Sequence, residues 1–186
     1  MKNVLVLLYL SAGLALQGQV KPVAFNVVEA TIPEMRAAME HGRITSRDLV
    51  ALHLIRIGLY EDKLHAAIIV NHNALQEADE LDRERARGNV RGPLHGIPIA
   101  LKDNVHTTFM RTTGGALAFE NLTPPYDATL TKNLIDAGAI IIAKTGMSEL
   151  ANFVAGAPTP MPGDYNAEGL PVPLTAPPPR SLLMPG

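Results

Sequence analysis

Three short apolar runs constrain how this 186-residue chain can fold. They lie at residues 66–70, 97–101 and 139–143, and the last contains only alanine and isoleucine. A strand without any polar residue needs apolar cover on both of its faces, which a sheet flanked by helices supplies. Because a helix-like pattern separates the second run from the third, the sequence predicts an α/β fold in which these two strands are parallel neighbours.

The segments around these runs carry signals for the starts and ends of helices. Polar side chains that can cap a helix start precede each helical pattern, and glycines follow three of them. The predicted caps are Thr31 (in a capping box with Glu34), Thr45, Asn71 or Asn73, and Asp127, and the predicted stops are Gly42, Gly88 and Gly138.

The two ends of the chain differ from its centre. Residues 1–19 combine Lys2 with an apolar stretch shorter than the ~20 residues that cross a bilayer, which is typical of a signal peptide. We expect cleavage and export to the periplasm or the extracellular space; an uncleaved anchor or a buried first helix is the alternative. Proline-rich residues 170–186 are expected to be a disordered or aberrant tail. Residues 20–169 form the remaining, globular part.

Composition argues against several kinds of function. The formal net charge is −2, so no basic surface for nucleic acid or, after processing, for a membrane is expected. The absence of cysteine excludes disulfides, thiolate metal sites and a cysteine nucleophile. The histidines lack the spacing of a metal site and are interpreted as surface or turn residues: His41, His53, His65, His72, His95 and His106.

Lys102 is the strongest candidate for a catalytic residue. It ends the second apolar run and precedes Asp103 and Asn104, two residues suited to a turn. Sites in open α/β sheets gather beyond the carboxyl ends of strands, and an apolar wall there would favour the neutral amine of a lysine. Such an amine can act as a general base. The alternative is a surface lysine that pairs with Asp103.

Four segments between residues 96 and 151 form an ordered set of motifs. They are GIPIALKDN at 96–104, RTTGGA at 111–116, YDAT at 126–129 and IAKTGMSELA at 142–151. In this order they resemble the lysine strand, the following loop, the next helix and the strand-to-helix segment of amidase-signature enzymes. The resemblance covers roughly residues 25–169 and favours the catalytic interpretation of Lys102.

The resemblance implies both a fold and a mechanism. The fold is the N-terminal portion of the amidase-signature fold, a mixed sheet covered by helices and incomplete in this chain. Family members use a neutral lysine, a bridging serine in a cis peptide linkage and a second serine that attacks the amide carbonyl. Backbone amides of a glycine-rich loop hold the oxyanion. Lys102 would be the general base, the substrate a small-molecule amide, and no cofactor or metal is implied.

The two family serines belong to a Gly/Ser-rich segment downstream of residues 147–150, and this sequence contains no such segment. The chain has four serines: Ser11 in the predicted signal, Ser46 and Ser148 at predicted helix starts, and Ser181 in the proline-rich tail. None lies in a loop that could supply an oxyanion hole. We therefore expect a truncated amidase that is inactive as this chain.

Three interpretations of the chain follow. The first is a truncated hydrolase that arises from a frameshift or an early stop near Gly169. The second is a non-enzymatic binding module on an inactive amidase scaffold. The third is a protein similar to the A subunit of an amidotransferase that supplies ammonia for tRNA charging, against which the predicted signal peptide argues. We favour the first because the break falls within a domain and leaves strand edges exposed.

Overall fold

The computed structural model describes residues 25–152 of the chain. The predicted signal peptide (residues 1–19) and the proline-rich tail (residues 170–186) lie outside the described residues. The helices and strands, in chain order, are α1 (Ile32–Glu40), α2 (Ser46–Leu64), β1 (Ala67–Val70), α3 (Ala74–Ala86), β2 (Pro98–Lys102), α4 (Thr129–Asp136) and β3 (Ile140–Thr145). Short 3₁₀ turns occupy Leu117–Phe119 and Glu149–Asn152. In this part of the chain, every helix is too short or too polar to cross a bilayer.

The sheet has three strands in the order β1-β3-β2. Strand β3 pairs in parallel with β2 and antiparallel with β1. The prediction of parallel neighbours is thus correct for β2 and β3, because α4 carries the chain back to the edge at which β2 began. The mixed sheet implied by the family resemblance is confirmed.

The predicted apolar cover of β3 is also confirmed. Ile140 and Ile142 pack on one face against buried side chains of α2 and α3. Ile141 packs on the other face with Leu101 and Met110. Full burial of one such side chain stabilises a fold by roughly 1.5–3 kcal/mol. The central strand therefore joins the helical layers on its two faces.

The first two helices begin as predicted. At α1 the Glu34 amide donates to the Thr31 hydroxyl at 3.4 Å, and the Thr31 amide donates to the Glu34 carboxylate at 2.8 Å. Thr45 and Asp48 repeat this capping box at α2, with distances of 3.0 and 3.1 Å. Each box satisfies two backbone donors at a helix start, which otherwise have no partner within the helix.

The side-chain cap predicted for α4 is wrong, and of the two predicted for α3 only Asn71 binds a backbone amide at the start of the helix. Asn73 occupies the cap position of α3 without a side-chain cap. Just before it, the side-chain Oδ1 of Asn71 accepts from the Asn73 backbone amide at 2.9 Å, while the side-chain Nδ2 of Asn71 donates to the Ile141 carbonyl of β3 at 2.9 Å. Asp127 accepts a hydrogen bond from the Thr108 amide at 2.7 Å, and Ala128 occupies the cap position of α4. At α4 the long-range bond to Thr108 takes the carboxylate that a local cap would have used, whereas Asn71 makes one local and one long-range bond with its two polar side-chain atoms.

His95 lies in a turn, as predicted, but its ring is only 1 % exposed. Its Nε2 donates to the Leu81 carbonyl at 3.0 Å, and its Nδ1 accepts from the Arg91 amide at 3.2 Å. Gly138, at φ +87°, packs directly against this residue, and its carbonyl accepts from the Gly96 amide at 2.8 Å. The ring therefore ties α3 and the turn before β2 to the turn before β3.

Replacement of Gly138 by alanine should destabilise the protein, because a Cβ at this position would lie 2.8 Å from the Cα of His95. We expect a loss of about 1–3 kcal/mol in the free energy of unfolding, measured by urea denaturation of the full chain. The matched control is Gly58→Ala in α2, where a Cβ meets nothing within 4 Å. This control should gain about 0.5–1 kcal/mol. Equal effects of the two substitutions would contradict the packing described for Gly138.

Candidate active site

Strands β2 and β3 end side by side, and Lys102 is the last residue of β2. Its Cα lies opposite that of Thr145, the last residue of β3. The next amide, that of Asp103, donates to the Thr145 carbonyl at 3.1 Å and so extends the parallel pairing by one bond. The predicted location of Lys102, at the carboxyl end of a strand beside a parallel neighbour, is therefore confirmed.

The Lys102 side chain is exposed. Because successive side chains alternate along a strand, it projects from the face of the sheet opposite to the face on which Leu101 is buried. Within residues 25–152 its amine makes neither a hydrogen bond nor an ion pair. The pairing with Asp103 that the alternative interpretation required is absent there, because the Asp103 side chain is fully buried. The expected apolar wall is incomplete, since Ala100 on the same face is also exposed.

A cleft of about 300 Å³ lies between α2 and this face of the sheet. Ala100 and Thr145 form part of its wall, so it opens beside the position from which Lys102 projects. Its lining is mostly apolar, with a few polar side chains from α2, and includes His53, Arg56, Tyr60 and Glu61. An apolar cleft with a small number of polar groups is typical of sites that take a ligand or another segment of protein.

The turn after Lys102 is held by Asp103. The Val105 amide donates to the Lys102 carbonyl at 3.0 Å and closes the turn. One carboxylate oxygen of Asp103 accepts from the amide and the hydroxyl of Thr113, the former at 3.0 Å, and from the Gly115 amide at 3.4 Å. The carboxylate thus draws residues 112–115 against the end of β2, which charge-assisted hydrogen bonds do strongly.

Lys144 is a second lysine of the site, and its side chain is fully buried. Its ammonium donates to the Val105 carbonyl and, at 2.8 Å, to the hydroxyl of Thr112. Burial lowers the pKa of Lys144 to about 8, and the negative charge of Asp103 opposes part of that decrease. The buried lysine therefore lies beneath the turn, whereas Lys102 projects from the other face.

Sequence reasoning did not single out Lys144 or the inward orientation of Asp103. Lys144 appeared only as one letter of a motif, although a lysine at the end of the run IIIA is a recognisable signal. Charged residues are almost never fully buried unless other groups satisfy them, so such a lysine predicts buried acceptors nearby. Their identity depends on the path of residues 105–113, which no local pattern reveals.

The two serines of residues 25–152 make no hydrogen bond to Lys102. Ser46 is the first residue of α2, is buried, and donates to the Met39 sulfur at 3.5 Å. Ser148 precedes the turn Glu149–Asn152, in which Leu150 and Ala151 have positive φ, so the regular helix start predicted at Ser148 is wrong for the described part of the chain. Between residues 25 and 152, no three histidine or acidic side chains gather into a group that could hold a metal ion.

The lowered pKa of Lys144 predicts a pH dependence of stability. The unfolded chain binds this proton up to its ordinary pKa of 10.5, whereas the native protein releases it near pH 8. The free energy of unfolding should therefore rise as the pH increases from about 8 to 10.5, by an amount on the order of 3 kcal/mol. Urea denaturation at stepped pH measures the rise.

The variant Lys144→Met should lack this rise, and the control Lys132→Met, at an exposed position of α4, should retain it. An equal slope in wild type and Lys144→Met would contradict the burial of a titrating amine at residue 144.

A family profile and several known proteins match most of this chain. The sequence profile of the family described as Amidase matches residues 48–166. Among curated proteins, the A subunit of a glutamyl-tRNA(Gln) amidotransferase from Prochlorococcus marinus is 40% identical over 122 residues, which are 65% of this chain and 25% of that protein. The chain thus spans about a quarter of the length of the curated relatives it matches.

Solved structures give the same result. The peptide amidase of Stenotrophomonas maltophilia is 44% identical with a TM-score of 0.65, and the match covers 67% of this chain and 26% of that one. An amidase family protein of Bacillus anthracis is 35% identical with a TM-score of 0.69, over 75% of this chain and 28% of that one. Motifs, sheet topology and the matched profile agree, and this chain belongs to the amidase family.

Proposed function

We propose that this chain supplies the lysine-bearing part of an amide hydrolase, in which Lys102 is the general base. One observation carries the proposal. Lys102 stands at the carboxyl end of a parallel strand with an amine that has no partner among residues 25–152, while its backbone is held in the sheet and the following turn. A base needs a free amine in a fixed place, and an amine engaged in an ion pair would not accept a proton.

The chemistry follows the Lys–Ser–Ser mechanism implied by the sequence motifs. The neutral amine of Lys102 accepts a proton through a bridging serine, and a second serine attacks the amide carbonyl. The resulting acyl-enzyme reacts with water to give a carboxylate and ammonia or an amine. Both serines must come from outside the described residues, because Ser46 is buried in α2 and Ser148 precedes a turn without a hydrogen bond to Lys102 within residues 25–152.

Lys144 is the less suitable base of the two lysines, despite its lowered pKa. Its side chain is fully buried, and both of its hydrogen bonds go to groups of the protein. A general base must come within hydrogen-bond reach of the proton that it removes. Lys144 could reach a substrate only if the turn at 102–105 opened, which would also release Lys102.

We propose further that, in an active enzyme, other parts of an amidase domain cover the exposed face of α2. Large apolar side chains project there, among them Ile55 and Leu59, which are 56% and 66% exposed, beside the cleft next to Ala100. Contiguous apolar surface of this kind marks an interface in a soluble protein. The chain by itself should therefore associate with itself and should not hydrolyse amides.

The cleft also supports a second candidate function, a binding module on an inactive amidase scaffold. Its apolar lining could hold a ligand without any catalytic step. Analytical ultracentrifugation separates the two proposals, because a binding module should be a stable monomer and the lysine-bearing part of an enzyme should self-associate. The amidotransferase interpretation has its own support in the curated relatives, which include A subunits of that class.

The enzyme proposal predicts activity for a joined protein that contains residues 20–152 of this chain followed by the downstream part of the Stenotrophomonas maltophilia peptide amidase. That protein should hydrolyse a peptide amide, whereas the 186-residue chain alone should give only the buffer rate. In the joined protein Lys102→Met should lower kcat by about 10²–10⁴-fold, the usual contribution of a general base.

Lys132→Met provides the control for this experiment, since Lys132 is an exposed lysine of α4 far along the chain from the turn. Its kcat should stay within about twofold of the unsubstituted joined protein, as surface substitutions usually do. Full activity of the Lys102→Met protein would overturn the assignment of the base.

We propose also that the protein is exported with removal of its signal peptide. When the chain is produced with its N-terminus in a bacterial host, mass spectrometry of the periplasmic or secreted protein should find a start between residues 16 and 21. The variant Leu7→Arg, which places a charge in the apolar stretch, should remain in the cytoplasm with its N-terminus uncut. An intact Met1 in soluble cytoplasmic wild-type protein would contradict export.

A further inference from the structure

We propose that Asp103 and Lys144 are positioning residues for Lys102, which they serve by holding the turn at residues 102–105 from two sides. The proposal rests on the proposed role of Lys102 as the base. Neither residue needs to contact a substrate, because both act through the backbone of the turn. Together they fix the direction in which Lys102 leaves the sheet.

Lys144 reaches Lys102 through a single intervening residue. The Val105 amide donates to the Lys102 carbonyl at 3.0 Å, and the Val105 carbonyl accepts a hydrogen bond from the Lys144 ammonium. Lys144 belongs to β3, the central strand of the sheet, and its side chain is fully buried. The turn is thus fastened to the central strand of the sheet by a hydrogen bond from a buried side chain.

Asp103 fastens the other side of the turn. Its amide donates to the Thr145 carbonyl at 3.1 Å, and its carbonyl accepts from the Gly114 amide at 3.2 Å. Its carboxylate binds the amide and the hydroxyl of Thr113. The residue immediately after Lys102 is therefore held by both its main chain and its side chain.

The segment that Asp103 binds is itself anchored near the end of β3. Gly115 has a φ of +69°, and a Cβ at this position would lie 2.5 Å from the Met147 carbonyl. The Leu150 amide donates to the Gly114 carbonyl at 2.8 Å. Residues 112–115 therefore form a firm support for the carboxylate of Asp103 rather than a loose loop.

The two positioning residues also depend on each other. The second carboxylate oxygen of Asp103 is buried and has no hydrogen-bond partner among residues 25–152. The attraction between this carboxylate and Lys144 opposes the effect of burial on the pKa of the lysine. Loss of either charge leaves the other buried and uncompensated, which is strongly unfavourable. Substitution of one residue should therefore loosen the whole turn.

Nuclear magnetic resonance of the full chain, at a concentration at which analytical ultracentrifugation finds it monomeric, tests the proposal without any enzymatic assay. In Lys144→Met and Asp103→Asn the amides of Val105 and Thr113 should exchange with solvent at least about tenfold faster than in wild type, relative to the amides of α1 and α2. The side-chain methylene signals of Lys102 should move from their wild-type positions. Global destabilisation would raise the unfolded fraction but leave the signals of the native state in place, so the displaced Lys102 signals report a change of position.

Three further variants make the result decisive. Lys132→Met, an exposed lysine substitution, should leave exchange and Lys102 signals unchanged. Thr112→Val and Thr113→Val keep the side-chain volume and each remove one hydroxyl from the partners of Lys144 and Asp103, so they should give smaller changes in the same direction. These two threonine variants also test the proposal if Lys144→Met and Asp103→Asn do not fold.

The proposal is overturned if the variants at 103, 112, 113 and 144 that fold match Lys132→Met in both measurements. Because neither measurement involves hydrolysis, that outcome would not contradict the proposed role of Lys102 as the base. Conversely, an inactive joined protein would leave the positioning result untouched.

Discussion

The parallel pairing of β2 with β3 is the constraint on which the rest of the described structure depends. It places the ends of both strands at one edge of the sheet, so that the backbone of Lys102 and the side chain of Lys144 meet the same turn. The apolar residues of β3 make the pairing stable by packing with helices on both faces. A slip of β3 by one residue would turn Lys144 to the opposite face, and a slip of β2 would turn Lys102 into the core.

Burial of charge explains why the two lysines differ in role. Lys144 sits where water does not reach, so its ammonium requires acceptors, and the Val105 carbonyl and the Thr112 hydroxyl supply them. Those bonds order the turn but also make the amine unavailable to a substrate. Lys102 has the opposite properties, with a fixed backbone and a free amine. A lowered pKa alone would point to Lys144, whereas the geometry supports our proposal of Lys102.

Much of the fold could be predicted from the sequence because it follows local rules. Apolar runs gave the three strands, and Thr31 and Thr45 gave two helix starts. The cap predicted at Asp127 failed because its carboxylate bonds to Thr108, which is distant in sequence, and Asn71 bonds both to the nearby Asn73 amide and to Ile141 of β3. The position of Lys102 at a strand end was predictable from its motif.

The environment of Lys102 could not be predicted in the same way. The sequence does not show that Asp103 turns inward to Thr113, nor that Lys144 lies beneath the turn. Both facts depend on how residues 105–115 fold back on the sheet. The path of these residues is fixed by contacts between segments and not by the hydrophobic periodicity of any single segment.

The central claim is that the amine at position 102 is the catalytic base, and chemical restoration of that amine tests it most directly. Lys102→Cys can be introduced into the joined protein, and this chain contributes no other cysteine. Alkylation with bromoethylamine then rebuilds an amine of nearly the length of lysine. The account predicts that the cysteine variant is inactive and regains hydrolysis after alkylation. Activity of the unmodified cysteine variant, or no recovery once mass spectrometry shows complete alkylation at residue 102, would contradict it.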